Sequence, residues 1–266
     1  MIKITCLIEN LVYRGGLLGE HGLSFHLDTG THRVLFDTGQ TGNFVLNAPR
    51  LGIDLSMVDA VVLSHGHYDH TGGLPKFIEV NSKAKIYCKE EALLPKFNGT
   101  KSIGFDHTDL NIKSRIRLLK GKKEIVPGIY AISSIPVINN DDTHWKHFNT
   151  EKDGKRIPDC FNDEVFLAIM SNNKLSVLSS CSHRGISNIM KAAKHHFDNP
   201  VHLIAGGFHL KDSKADSINP IVKTFKTMKP EKLGICHCTG LEHYDLLKTE
   251  FPTETFYFHT GIMVEI

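Results

Sequence analysis

Between Val61 and Leu74 the chain reads VVLSHGHYDHTGGL, with three histidines and one aspartate inside six residues, directly after an apolar run. A strand over the apolar residues ends at Ser64. His65, Gly66, His67, Tyr68, Asp69 and His70 then fall on a loop at its carboxyl end, where α/β sheets keep their sites. Two histidines two apart on extended backbone point to one side and can share an ion. Asp69 and His70 can turn toward a second ion. Imidazole and carboxylate donors suit zinc, iron and manganese. The alternative is a polar turn whose histidines are solvated caps, and spacing this tight argues against it. The 17 histidines of the chain, several in tight groups, point the same way.

His-x-His-x-Asp-His after an apolar strand resembles the signature of the metallo-β-lactamase superfamily. The resemblance implies a four-layer αββα sandwich, an α/β fold, with one or two metals at one edge. VLFDTG (Val34 to Gly39) is similar to the family's early strand, with Asp37 buttressing the metal loop. LGICHCTG (Leu233 to Gly240) resembles the strand that ends in the last metal histidine, here His237. The middle motifs depart from the family pattern. LSVLSS ends in Cys181-Ser182-His183-Arg184-Gly185, so Cys181 stands where a bridging aspartate is expected. No GHTxG segment lies upstream, and His183 is the natural substitute for the third histidine, with His144 and His147 as alternatives. Cys181 is either a ligand or a buried space-filling thiol. Cys236 and Cys238 flank His237 and, on extended backbone, point away from it as packing residues.

GEHGLS, SHGHYDHTGGL, CSHRGI, GGFHL and CHCTG occur in that order. Together they resemble a narrower subgroup, the metal-dependent hydrolases of β-lactamase superfamily II. That subgroup includes transferases that join a dihydropterin to a ribofuranosyl-aminobenzene phosphate in methanopterin biosynthesis. His209 follows the strand VHLIA and either binds metal, donates to an oxyanion, carries a proton or is structural. GEHGLS brings His21 toward the site, with Glu20 outside it. Arg184 precedes a helix N-terminus, which suits a substrate phosphate.

The elements that must position these residues read as short apolar strands. They run over 2–8, 23–27, 34–36, 60–63, 85–88 and 129–132, then 165–170, 175–178, 201–205, 233–236, 256–258 and 262–266. LDTGTHRVLFDTG reads as a hairpin turning near Thr29-Gly30, and helices are expected after Gly73 and over 186–197, 220–228 and 241–249. The first half is therefore hairpin-rich and the second alternates strand and helix. This implies sheets inside and helices outside in a single domain over 1–266. The segments 96–125 and 139–158 are polar and weakly periodic, and read as lids or insertions that choose the substrate.

Composition excludes several classes. A net charge of +2 with mixed signs demands neither nucleic acid nor a membrane surface. The basic stretch Asn111 to Lys123 reads as a solvated face. No apolar run approaches the roughly 20 residues that span a bilayer, MIKITCLIEN lacks the features of a secretory signal, and six cysteines in 266 residues do not make a disulfide scaffold. The expectation is a cytoplasmic enzyme with two divalent metals, zinc first and iron or manganese next. It would activate water against a small phosphorylated, ester or amide substrate, with Asp69 and His209 catalytic. The pterin transferase is the alternative and a diiron redox protein the lesser one. Protein purified without chelator should carry metal, and added zinc, manganese or iron should raise the Tm of metal-stripped protein. An unchanged Tm with all three ions would refute the metal reading.

Overall fold

The computed structural model describes residues 1–266, which form two compact units. The first comprises 1–120, 145–165 and 259–265; the second comprises 121–144, 166–258 and 266.

The first unit is built on a seven-stranded mixed sheet. Its strands are β1 (Lys3–Ile8), β2 (Ser24–Asp28), β3 (Arg33–Phe36), β4 (Ala60–Val62), β5 (Lys85–Cys88), β8 (Ile116–Leu118) and β18 (Met263–Glu265), in the order β18-β1-β2-β3-β4-β5-β8. The β2–β3 pair is the expected hairpin, with the Thr29 N–H donating to the His32 carbonyl across the turn. From β3 to β8 the pairing is parallel. The central strand β4, Ala-Val-Val, is buried at every residue, as a parallel strand covered on both faces requires. Helices α1 (Asn43–Arg50), α3 (Leu74–Val80) and α4 (Leu110–Arg115) bury Phe44, Ala48, Leu74, Phe77 and Ile112 against Leu35, Val61 and Ile86 of this sheet. A single helical turn, α2 (Tyr68–Thr71), interrupts the expected loop.

Besides β8 and α4, the segments 96–125 and 139–158 contribute four short strands to the same unit. These are β6 (Lys96–Asn98), β7 (Lys101–Ser102), β11 (Phe148–Lys152) and β12 (Lys155–Pro158), paired antiparallel in the order β12-β11-β6-β7. Every residue of β12 is exposed, so no period-2 apolar pattern marks it. The basic stretch is largely exposed, as expected.

The second unit holds the other seven-stranded sheet, ordered β17-β16-β15-β14-β13-β10-β9. Its strands are β9 (Lys122–Val126), β10 (Ile129–Ile132), β13 (Phe166–Ser171), β14 (Lys174–Leu178), β15 (Val201–Gly206), β16 (Lys232–Ile235) and β17 (Thr255–Tyr257). β14 to β17 run parallel, so each needs a crossover, and the helices α5 (Ile186–His196), α6 (Asn219–Met228) and α7 (Leu241–Glu250) supply them. Pro220 in the first turn of α6 and basic residues in the last turn of α5 suit their helix ends. Ile189, Met190, Ile221, Phe225 and Leu247 pack on Phe166, Val177, Ile204 and Leu233. No helix is long and apolar enough to cross a membrane.

Gly206 closes β15 with φ +124°, and a Cβ there would collide with the Ser179 carbonyl oxygen. Gly206→Ala should cost about 1–3 kcal/mol in strain alone, read as a lowered denaturant midpoint with an unchanged slope.

Candidate metal centre

In the first unit, β3 ends at Phe36 and Asp37 follows in the left-handed region, at φ 60°. That conformation is uncommon for a residue with a side chain. It aims a wholly buried carboxylate at the end of the neighbouring parallel strand β4. Asp37 accepts the Ser64 backbone N–H at 2.7 Å, the Ser64 hydroxyl at 2.6 Å and the His70 Nδ1–H at 2.9 Å. With its O–H donated in a hydrogen bond to Asp37, the Ser64 hydroxyl accepts from His65 Nδ1, 2.8 Å away. His65 and His70 therefore both carry their proton on Nδ1, which leaves the Nε2 lone pair as the ligating atom. This carboxylate–histidine arrangement is the usual backing of a metal-bound imidazole.

The His65 ring centroid lies 4.6 Å from that of His67 and 4.4 Å from that of His70. His67 is still extended (φ −83°, ψ 146°) and caps α2, which carries Asp69 and His70. Asp69 Oδ2 stands 3.4 Å from His70 Nε2 and 3.3 Å from His21 Nε2. His21, half-exposed, is thus on the Asp69 carboxylate. Glu20 turns the other way and accepts from the Gln40 and Thr41 N–H groups and Asn43 Nδ2, bracing the 40–43 turn.

Burial pushes His67 down to about 3 and His65 well below its ordinary value, so both are neutral donors. Burial also opposes the charged form of His70, but Asp69 and Asp37 raise it to about 10. The pair of carboxylates demands a positive charge at this point, from a proton or from a metal ion.

In the second unit the chemistry again follows strand ends. Cys181, Ser182 and His183 follow β14, His209 follows β15 and His237 follows β16, with Ser182, His209 and His237 at φ 55°, 49° and 54°. The ligand atoms of Cys181, His183 and His209 lie within 4.8 Å of one another, as do those of Cys181, His237 and Cys238. Cys181 belongs to both groups. His183 Nδ1 bonds the His144 carbonyl at 3.0 Å, and the His144 N–H returns to the His183 carbonyl at 2.8 Å. The His144 ring is 3.2 Å from Asp142, whose other oxygen accepts the Ser187 N–H in the first turn of α5. His144 therefore backs His183, and His147 is exposed. Arg184 spends its Nε–H on the Ile135 carbonyl at 2.9 Å.

The packing expectation for Cys238 rested on extended backbone, and the backbone is not extended. His237 to Thr239 form a 3-10 turn. This brings the Cys238 thiol within 4.8 Å of Cys181 Sγ, where it accepts the His209 N–H at 3.3 Å. Ser64 and Asp142 are the supporting residues that the motifs do not single out. Ser64 directly precedes the motif, but its role depends on Asp37 of another strand. Asp142 lies in a weakly periodic loop and carries no pattern of its own.

Residues 19–147 match the metallo-β-lactamase superfamily. The 7,8-dihydropterin-6-methyl-4-(β-D-ribofuranosyl)-aminobenzene-5′-phosphate synthase of Methanocaldococcus jannaschii is 30% identical, over 99% of this chain and 96% of that protein. An uncharacterized protein of the same organism is 32% identical over 100% of both. The crystal structure of a metal-dependent hydrolase of the β-lactamase superfamily superposes with a TM-score of 0.89 at 32% identity, covering 100% of this chain and 99% of that one.

Asp37→Ala strands three buried donors and should cost about 3–5 kcal/mol. Asp37→Asn keeps the shape but loses the charge behind His70. It should fold, and should bind divalent metal roughly 10- to 100-fold more weakly in a chelator competition.

Proposed function

Because the chain belongs to the metallo-β-lactamase superfamily, whose fold implies divalent-metal binding, we propose that it is a cytoplasmic hydrolase with a dinuclear zinc centre acting on a small phosphate-bearing substrate. The proposed ligands are His65, His67, Asp69, His70, Cys181, His183 and His237. The observation that carries the reading is the donor set. His65, His70 and His183 each engage Nδ1 on a hydroxyl, carboxylate or carbonyl, and so present Nε2. A buried thiol beside imidazoles, Cys181 with His183 and His209, favours zinc or iron over magnesium.

Bound zinc supplies a Lewis acid and lowers the pKa of water toward neutrality. The protein groups divide the remaining work. Asp69 accepts a hydrogen bond from the attacking water and orients it, its carboxylate lying 3.3 Å from His21 Nε2. His209, half-buried at its strand end, protonates the leaving group. Arg184, just ahead of α5, and His21 hold the substrate phosphate.

The similarity to the dihydropterin synthase over nearly the whole chain favours a second reading, in which the same residues serve a transferase that joins a dihydropterin to a ribofuranosyl-aminobenzene phosphate. Product analysis by mass spectrometry separates the two: split ester for hydrolysis, coupled product for transfer.

Zinc-loaded protein should hydrolyse members of a panel of chromogenic phosphomonoesters and phosphodiesters. Asp69→Asn should lower kcat by roughly 10²- to 10⁴-fold. Protein that retains no zinc, iron or manganese would overturn the proposal. Protein that binds metal, leaves every ester intact and yields the coupled product would replace hydrolysis by transfer.

A further inference from the structure

The backbone of the first metal motif is gripped by a segment far from it in sequence. The Gly66 N–H, between His65 and His67, donates to Asp163 Oδ2 at 2.8 Å. The Val165 N–H donates to the Ser64 carbonyl at 2.7 Å. Two residues ahead of Asp163 is Phe161, at φ 49°, with its ring edge-on to His67 at 5.2 Å. On the opposite side there is no slack: a Cβ on Gly66 would run into the Ala92 carbonyl.

Asp163 is itself held by a buried cation. Lys96, at the start of β6, places Nζ 3.0 Å from Asp163 and 2.8 Å from Asp159, and its side chain is 2% exposed. Lysine is almost never buried to this degree unless paired. Two carboxylates and one ammonium also make poor stabilisers, since desolvation offsets their attraction and an apolar trio of the same volume would hold the fold about as well. What an apolar trio lacks is an acceptor for the Gly66 N–H. A neutral amide could take that bond but would form no ion pair with the Lys96 ammonium to fix its direction.

We propose that Asp163, oriented by Lys96, is a positioning residue for the His65–Gly66–His67 segment, and that the ion pair sets metal affinity more than it sets stability. The inference rests on the proposed metal role of His65 and His67. It also gives the small four-stranded sheet a connection to the metal loop, because Lys96 belongs to β6.

The test compares wild-type protein with Asp163→Asn, Lys96→Met and the neutral triple variant Lys96→Met/Asp159→Asn/Asp163→Asn, with the exposed Lys76→Met as control. Zinc affinity is read by competition with a chromophoric chelator at 25 °C, and the Tm of each metal-free form is measured separately. Lys96→Met alone leaves two carboxylates buried together and should lower the metal-free Tm sharply. The triple variant should recover most of that loss, yet bind zinc roughly 10- to 100-fold more weakly than wild type, as loss of outer partners of metal ligands generally does. Asp163→Asn should weaken zinc in the same direction with little change in Tm, and it carries the test should the triple variant not fold. The control should match wild type. Wild-type zinc affinity in Asp163→Asn or the triple variant would overturn the inference. Wild-type protein that binds no zinc would instead overturn the reading beneath it.

Discussion

The rest of the first metal motif depends on one buried carboxylate. Asp37 spends its two oxygens on three donors, and each donor sets a different part of the motif. The Ser64 N–H fixes where the chain leaves β4. The Ser64 hydroxyl, its O–H donated in a hydrogen bond to Asp37, sets the tautomer of His65. The His70 Nδ1–H does the same at the far end of the six-residue stretch. A carboxylate with no water around it needs this many partners, because an unpaired buried charge costs several kcal/mol. The requirement runs both ways, so the acid and the loop hold each other.

Sheet topology explains why such a residue can exist. β3 and β4 run parallel and adjacent, so a residue just past one strand end lies beside the first residues past the other. The second unit repeats the device with β14, β15 and β16, whose ends deliver Cys181, His183, His209 and His237. Four non-glycine residues at these ends, Asp37, Ser182, His209 and His237, adopt left-handed backbone. Each such turn costs of order 1–3 kcal/mol and persists where its surroundings over-determine it. Side chains that must turn back at once toward a strand end have few other conformations available.

The two units differ in chemical character. The first offers imidazole and carboxylate, with charge supplied by Asp37 and Asp69. The second adds thiols, and the 3-10 turn at His237 brings the Cys238 thiol into the neighbourhood of Cys181. Within each set, ligand type discriminates among ions more than raw affinity does.

Much of this was legible from composition and period alone. β5 and β10 have the bounds expected from their apolar runs, the other expected strands shift by a residue, and α5 to α7 are found where the periodicity places them, whereas the sheet-edge strands β8 and β9 were not expected as strands. Buried strands and amphipathic helices write their burial into local pattern, and three histidines and an aspartate in six residues announce metal chemistry without help from the fold. Other features were not legible. The sheet of β6, β7, β11 and β12 joins short polar strands, with Lys96 opposite Thr150, and neither strand carries an alternation that would mark it. Cys238 is buried, as a packing residue would be, but the extended backbone expected around it gives way to a turn at left-handed His237. The sequence by itself determined which side chains could bind a metal, since that depends on residue type and near spacing. Only the tertiary structure decided what holds them: Asp37 behind Ser64 and His70, His144 behind His183, and Lys96 with Asp163 behind Gly66. Those partners come from distant positions, and a hydrogen bond between distant residues leaves no period in either segment.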